Sequence, residues 1–176
     1  MARKAALLLC LLVLALPAAG WAGNFGLGGG VRYNVMLGSL SGADFDRSYL
    51  SYLLSAKYQL LNLLAVEATA DYYPGSGDID YIFRPTAAVI LGNFINVGLG
   101  ITTSYNKTGS GSEWSDPWFQ LQAGVQIPIA SYLWINADAY YLVQKINDVT
   151  IDSIVEKTKD FDSDSIIFGT RLHIRF

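Results

Sequence analysis

Cysteine is nearly absent from this 176-residue chain. The one present, Cys10, sits in an apolar run over residues 5–16, so the rest of the chain has no disulfide, thiol nucleophile or thiolate metal site. Long apolar runs are scarce as well. That first run falls short of the roughly 20 residues a spanning helix needs, and no later segment is longer, yet apolar residues make up 52% of the chain. Charged residues are only 15%, and histidine occurs once, as His173. A chain this apolar without long apolar runs has to spread its apolar residues by alternation. In a bilayer only helices and closed barrels satisfy every backbone hydrogen bond, so a closed barrel is the membrane form left open.

The amino-terminus carries Arg3 and Lys4, then the apolar run, Pro17 and a small-residue stretch ending at Ala22. This order predicts a secretory signal peptide over residues 1–22, cleaved before Gly23, with residues 23–176 as one mature domain. Without Arg3 and Lys4, 10 basic residues face 15 acidic ones, which argues against nucleic acid as a partner.

Alternation is what the mature chain has in abundance. Eight segments, near residues 25–35, 52–60, 64–72, 83–91, 95–105, 119–127, 133–141 and 168–176, each present one uncharged, largely apolar parity. Successive side chains on a strand point to opposite faces, so each segment predicts a strand with one apolar side. The connections around Leu61, Gly92 and residues 128–131 are short. Those over residues 38–48, 74–80, 106–116 and 144–164 are longer and polar, and transmembrane barrels alternate short and long connections in this way. Aromatic residues gather at both margins. Tyr49, Tyr72, Tyr73, Tyr81, Phe83, Tyr105, Trp118, Phe119, Tyr140 and Tyr141 mark one margin, and Phe25, Tyr58, Phe94, Tyr132, Trp134 and Phe176 mark the other. Interfacial belts have this distribution, although some of these side chains have inward parity.

The opposite parity is small and neutral, with Gly, Ser, Thr, Asn and Gln dominating. It carries a few charges of both signs: Arg32, Lys57, Arg84 and Arg171 against Glu67, Asp71 and Asp138. Eight strands enclose only enough space for side chains to fill. Buried ions must be paired to be tolerated, so these seven residues are expected to form a charge network in the lumen.

The last strand alternates Phe168, Thr170, Leu172, Ile174 and Phe176 against Gly169, Arg171, His173 and Arg175, and ends on an aromatic residue. With the alternation of the other segments, it resembles the small outer-membrane β-barrels, the class of the OmpA membrane domain, OmpX and the opacity-type proteins. The resemblance implies an all-β, closed, eight-stranded antiparallel up-and-down transmembrane barrel in the outer membrane of a diderm bacterium, both termini periplasmic. It also implies Phe168, Leu172, Ile174 and Phe176 as an assembly signal. The implied partners are outer-membrane lipid and lipopolysaccharide, with the barrel-assembly machinery and periplasmic chaperones during biogenesis. The class spans adhesins, channels and lipid A-modifying enzymes, so membership does not choose a function.

Catalysis finds little support in the residues. His173 has Arg175 two residues on, where the lipid A deacylases have serine, and its parity is inward, so no catalytic residue is expected. Residues 160–164 begin like a calcium loop but continue with Ser165 and Arg171 where glycine and glutamate are required, so no metal is expected. The glycines over residues 26–30 lack the spacing of a nucleotide loop. No cofactor is implied. Val149, Ile151, Ile154 and Val155 give the longest outer connection apolar character. They are read either as a hairpin edge pairing with an extracellular protein partner or as strands running on past the bilayer. The function expected is a structural or surface-interaction role through outer loops. A narrow small-solute channel gated by lumen salt bridges is the alternative, and a soluble lipocalin-like barrel or a lipid A-modifying enzyme is more remote.

Overall fold

The structure, a computed structural model, describes residues 25–35, 50–145 and 166–176. The expected signal peptide over residues 1–22, the connection over residues 38–48, and the segment with Val149, Ile151, Ile154 and Val155 lie outside the described residues. Ten β-segments follow one another: β1 (Phe25–Val35), β2 (Leu50–Leu61), β3 (Leu64–Ser76), β4 (Ile79–Gly92), β5 (Ile95–Thr102), β6 (Tyr105–Thr108), β7 (Gly111–Trp114), β8 (Trp118–Ala130), β9 (Leu133–Lys145) and β10 (Ile166–Arg175). They build eight wall strands, because β5 continues as β6 and β7 continues as β8. Pro117, which has no N–H to donate to a ladder, lies in the second break. Across the two breaks Ser115 N–H donates to Ser104 O at 2.7 Å, Ser104 N–H to Ser115 Oγ at 2.9 Å, and Thr103 Oγ1 to Ser115 O at 2.9 Å.

All neighbours are antiparallel, and β1 pairs with both β2 and β10, so the wall closes on itself. Paired positions run from Phe25 through Tyr58, Val66, Val89, Leu99, Leu121, Tyr141 and Ile166 back to Val35, ten residues further along β1. An eight-stranded barrel with that stagger has strands tilted by about 40° and a radius of about 8 Å. The tilt means that each step to a paired residue on the next strand climbs about 3 Å along the barrel axis.

The two faces separate as alternation requires. Leu54, Val89, Val97, Leu99 and Leu121 are exposed on the outer wall, and Arg32, Glu67, Asp71, Asn136 and Arg171 are buried inside. On β10, Phe168, Leu172 and Ile174 point out, as does Phe176 beyond it, while Arg171 and His173 point in. The end of the chain helps close the ring, with Phe176 N–H donating to Phe25 O at 2.8 Å.

Two expectations about the connections need correction. Residues 74–80 are not a loop: β3 and β4 run on through them and turn at Gly77 and Asp78, where Gly77 adopts φ 61°. Only a residue tolerant of left-handed backbone makes so tight a reversal at no cost. Residues 106–116 form the β6–β7 hairpin, with Tyr105 opposite Trp114 and Thr108 opposite Gly111. Connection length therefore does not alternate throughout. The aromatic margins sort further in the structure: Tyr73 and Tyr140, of inward parity, are buried in the lumen, and Tyr58, of the apolar parity, is buried as well.

Candidate functional site in the lumen

The inward residues form a column of charge along the barrel axis. Nearest the rim that bears Phe25 and Phe176, Lys57 on β2 donates to Gln126 Oε1 at 2.8 Å. Beside it His173 Nε2 lies 2.6 Å from Ser55 Oγ, and its Nδ1 is 3.4 Å from Asn136 Oδ1. One level further in, the Arg171 guanidinium is shared between two carboxylates: Nη1 is 2.7 Å from Glu67 Oε1 and Nη2 is 3.2 Å from Asp138 Oδ2. These are close charge contacts without the alignment of hydrogen bonds. Above them Arg32 pairs with Asp71, and its guanidinium stacks 3.8 Å from the centroid of the Tyr140 ring. The Tyr140 hydroxyl donates to Asp138 Oδ2 at 3.3 Å, which joins the two levels. Arg84, nearest the opposite end, donates to Tyr73 Oη at 3.0 Å and to Ser104 Oγ at 3.3 Å, and covers the Tyr73 ring.

Glycine makes this column possible. A methyl group on Gly28 would overlap the His173 ring and the Ser55 hydroxyl, and one on Gly124 would overlap the Asp138 carboxylate. The sequence places Gly28 and Gly124 at inward positions directly opposite His173 and Asp138 on neighbouring strands. The missing side chains are the room into which polar groups fold.

Of the seven charged residues expected in the lumen, Arg32, Glu67, Asp71, Asp138 and Arg171 make ion pairs within the column. Lys57 and Arg84 hydrogen-bond to neutral side chains, Gln126 for the first and Tyr73 and Ser104 for the second. Ser55, Asn136 and Gln126 belong to the inward parity, but nothing in the sequence couples them to His173 and Lys57. Their meeting depends on barrel stagger. Tyr140 and Tyr73 carry a parity signal, since Tyr140 shares its strand face with Asp138 and Asn136.

The Ser55–His173 contact brings a hydroxyl within reach of the only imidazole, an arrangement that could activate a nucleophile. Asn136 stands where an orienting group would. Ser55 and His173 are both buried, however, and the small polar cavity at this end, about 40 Å³ in volume, is lined by His173, Lys57, Gln126 and Trp134 but not by Ser55. The serine oxygen is not among the groups lining that cavity, and the pair reads as a structural hydrogen bond. Among the described residues, no group of three or more His, Asp or Glu side chains could hold a metal ion.

No family model matches the chain, and no curated protein sequence matches it. Solved structures do. The N-terminal β-barrel domain of Pseudomonas aeruginosa OprF is similar at a TM-score of 0.55 and 11% identity, over 88% of this chain and 98% of that one. The Yersinia pestis outer membrane protein Ail, in a phospholipid bilayer nanodisc, is similar at a TM-score of 0.52 and 15% identity, over 88% of this chain and 99% of that one. The chain thus has the fold of the small eight-stranded outer-membrane barrels.

Proposed function

We propose that the protein resides in the outer membrane as a barrel with an occluded lumen and acts at the cell surface through its outer hairpins and loops, without catalysis. One observation carries this reading. Arg32, Glu67, Asp71, Asn136 and Tyr140 each expose no more than 1% of their surface at successive levels of the lumen. A water-filled pore would leave such residues hydrated. The likeness to barrels of the outer membrane and the apolar outer wall support the location, and an even number of wall strands supports two periplasmic termini. Phe168, Leu172, Ile174 and Phe176 would serve as the assembly signal read by the barrel-assembly machinery, after periplasmic chaperones deliver the chain.

Single-channel recording on the reconstituted protein tests the occluded lumen: a silent bilayer is expected, and steady conductance would overturn it. Deleting residues 147–159 tests the surface role of Val149, Ile151, Ile154 and Val155. Loss of cell-surface binding with a barrel still folded is expected, and unchanged binding would count against an extracellular protein partner at that segment.

A second reading, a gated narrow conduit, draws on Arg171 being shared by Glu67 and Asp138 while Lys57 rests on a neutral amide. Exchange of partners among these groups would open a polar path. Conductance that appears or changes with Glu67→Ala would favour it.

A further inference from the structure

Five outward aromatic residues stand in direct register on five adjacent segments. Tyr52 on β2 faces Tyr72 on β3, Tyr72 faces Phe83 on β4, Phe83 faces Tyr105 on β6, and Tyr105 faces Trp114 on β7. Directly opposed residues share a face of the sheet. Tyr81 joins them, its ring 5.8 Å from that of Tyr72 and 6.2 Å from that of Tyr105, and Tyr105 lies 5.2 Å from Trp114. Tyr52, Tyr72 and Phe83 are 55%, 45% and 38% exposed, so the ribbon looks away from the lumen.

An interfacial girdle is level, and this ribbon is not. The stagger of the wall lifts each successive ring by about 3 Å, so the ribbon climbs about 12 Å from Tyr52 to Trp114. Counted from Phe94, Tyr132 and Phe176 at the periplasmic rim, an apolar band of about 25 Å ends near Tyr72 and Phe83, which leaves Tyr105 and Trp114 about 5–8 Å beyond it. Hydrocarbon does not reach that layer. Beside the outer leaflet it holds the sugars and phosphates of the glycolipid. An aromatic face carries negative charge density, which suits the C–H face of a pyranose ring. Lys107, opposite Tyr81 on the same face, adds a cation that suits a phosphate.

We propose that Tyr81, Tyr105 and Trp114 form a stacking platform for the core-sugar rings of the lipopolysaccharide surrounding the barrel, with Tyr52, Tyr72 and Phe83 at the acyl boundary beneath. The proposal rests on the outer-membrane reading above and names the partner chemistry of one side of the wall.

The test uses the full mature protein in detergent micelles, titrated with rough lipopolysaccharide, with lipid A, and with the detached core oligosaccharide, with bound species counted by native mass spectrometry. Rough lipopolysaccharide should bind about tenfold more tightly than lipid A. Tyr105→Leu with Trp114→Leu, which keep bulk but remove the rings, should erase that preference and leave lipid A binding unchanged. Tyr105→Phe should retain it. Equal binding of the two lipids, or a preference that survives the double variant, overturns the platform. Competition by the free oligosaccharide at matched concentration overturns the membrane glycolipid as its occupant. Folding of each variant is checked by its heat-dependent shift in gel mobility. A wild-type protein that dissolves without detergent and shows no such shift sinks the outer-membrane reading itself; one that shifts but shows no sugar preference sinks only the platform.

Discussion

Arg171 and Leu172 are neighbours on one strand and live under different rules. Leu172 faces outward among many exposed aliphatic side chains, where any apolar residue of moderate size meets the same surroundings. Arg171 faces inward, where its two carboxylates, a tyrosine ring one level up and a glycine across the strand constrain it. The outer wall is specified by polarity alone. The lumen is specified by identity, because each buried ion needs a particular partner at a particular height.

The sharpest way to break this contrast is Arg171→Ala. Removing one member of a buried ion cluster leaves the others uncompensated and typically costs about 3–5 kcal/mol. Here two carboxylates, Glu67 and Asp138, lose their close cation at once, so unfolding in urea from lipid vesicles should show a loss at the upper end of that range. Leu172→Ala beside it should cost much less, since lipid fills the space. Equal losses would mean that the lumen charges do not hold the barrel together.

The outer wall can be broken by charge rather than by truncation. Leu99 is exposed near mid-height of the apolar band. Leu99→Arg should destabilise the folded barrel in a bilayer by about 2–4 kcal/mol, and the same change at Phe94, at the rim, by about 1 kcal/mol or less. Refolding titrations into vesicles measure both. A flat response with depth would remove the ground for reading this wall as lipid-facing.

Much of this division was legible from alternation alone, because a period of two is insensitive to how strands are arranged. The lumen contacts were not. Whether Arg171 reaches Glu67 on β3 depends on the stagger accumulated across β1 and β2, and the register shifts at Gln59/Leu61, Phe119/Gln120 and Pro128/Ala130 alter stagger without a clear mark in composition. Tyr73 and Tyr140 belong to a belt by position and to the lumen by parity, because tyrosine suits either an interface or a polar interior, and burial decides for the lumen. Residues 74–80 read as a loop because Pro74, Gly75 and Gly77 punctuate it. Pro74 nevertheless takes a place in the β3–β4 ladder opposite Tyr81, and only Gly77 and Asp78 turn.

Glycine offers an intermediate test. Gly124→Ala would drive a methyl group into the Asp138 carboxylate, and such overpacking costs about 1–3 kcal/mol. Gly29, on β1, has outward parity instead, and a methyl there meets only ordinary contacts at 3.8 Å or more. Gly29→Ala should leave the urea midpoint nearly unchanged while Gly124→Ala lowers it. Similar midpoints would show that the lumen has slack.

The smallest effect separates the two roles of Tyr140. Its ring stacks on Arg32 and its hydroxyl donates to Asp138, so one side chain joins the Arg32–Asp71 pair to the Arg171 cluster. Tyr140→Phe keeps the stack and removes the hydroxyl. The loss should be about 0.5–1.5 kcal/mol, the range of a single net hydrogen bond, because Asp138 retains Arg171 at 3.2 Å. A double-mutant cycle with Asp138→Asn decides whether the bond links the levels. Coupling near the size of the single effect is expected, and strictly additive losses would leave the two ion pairs as separate layers in one barrel.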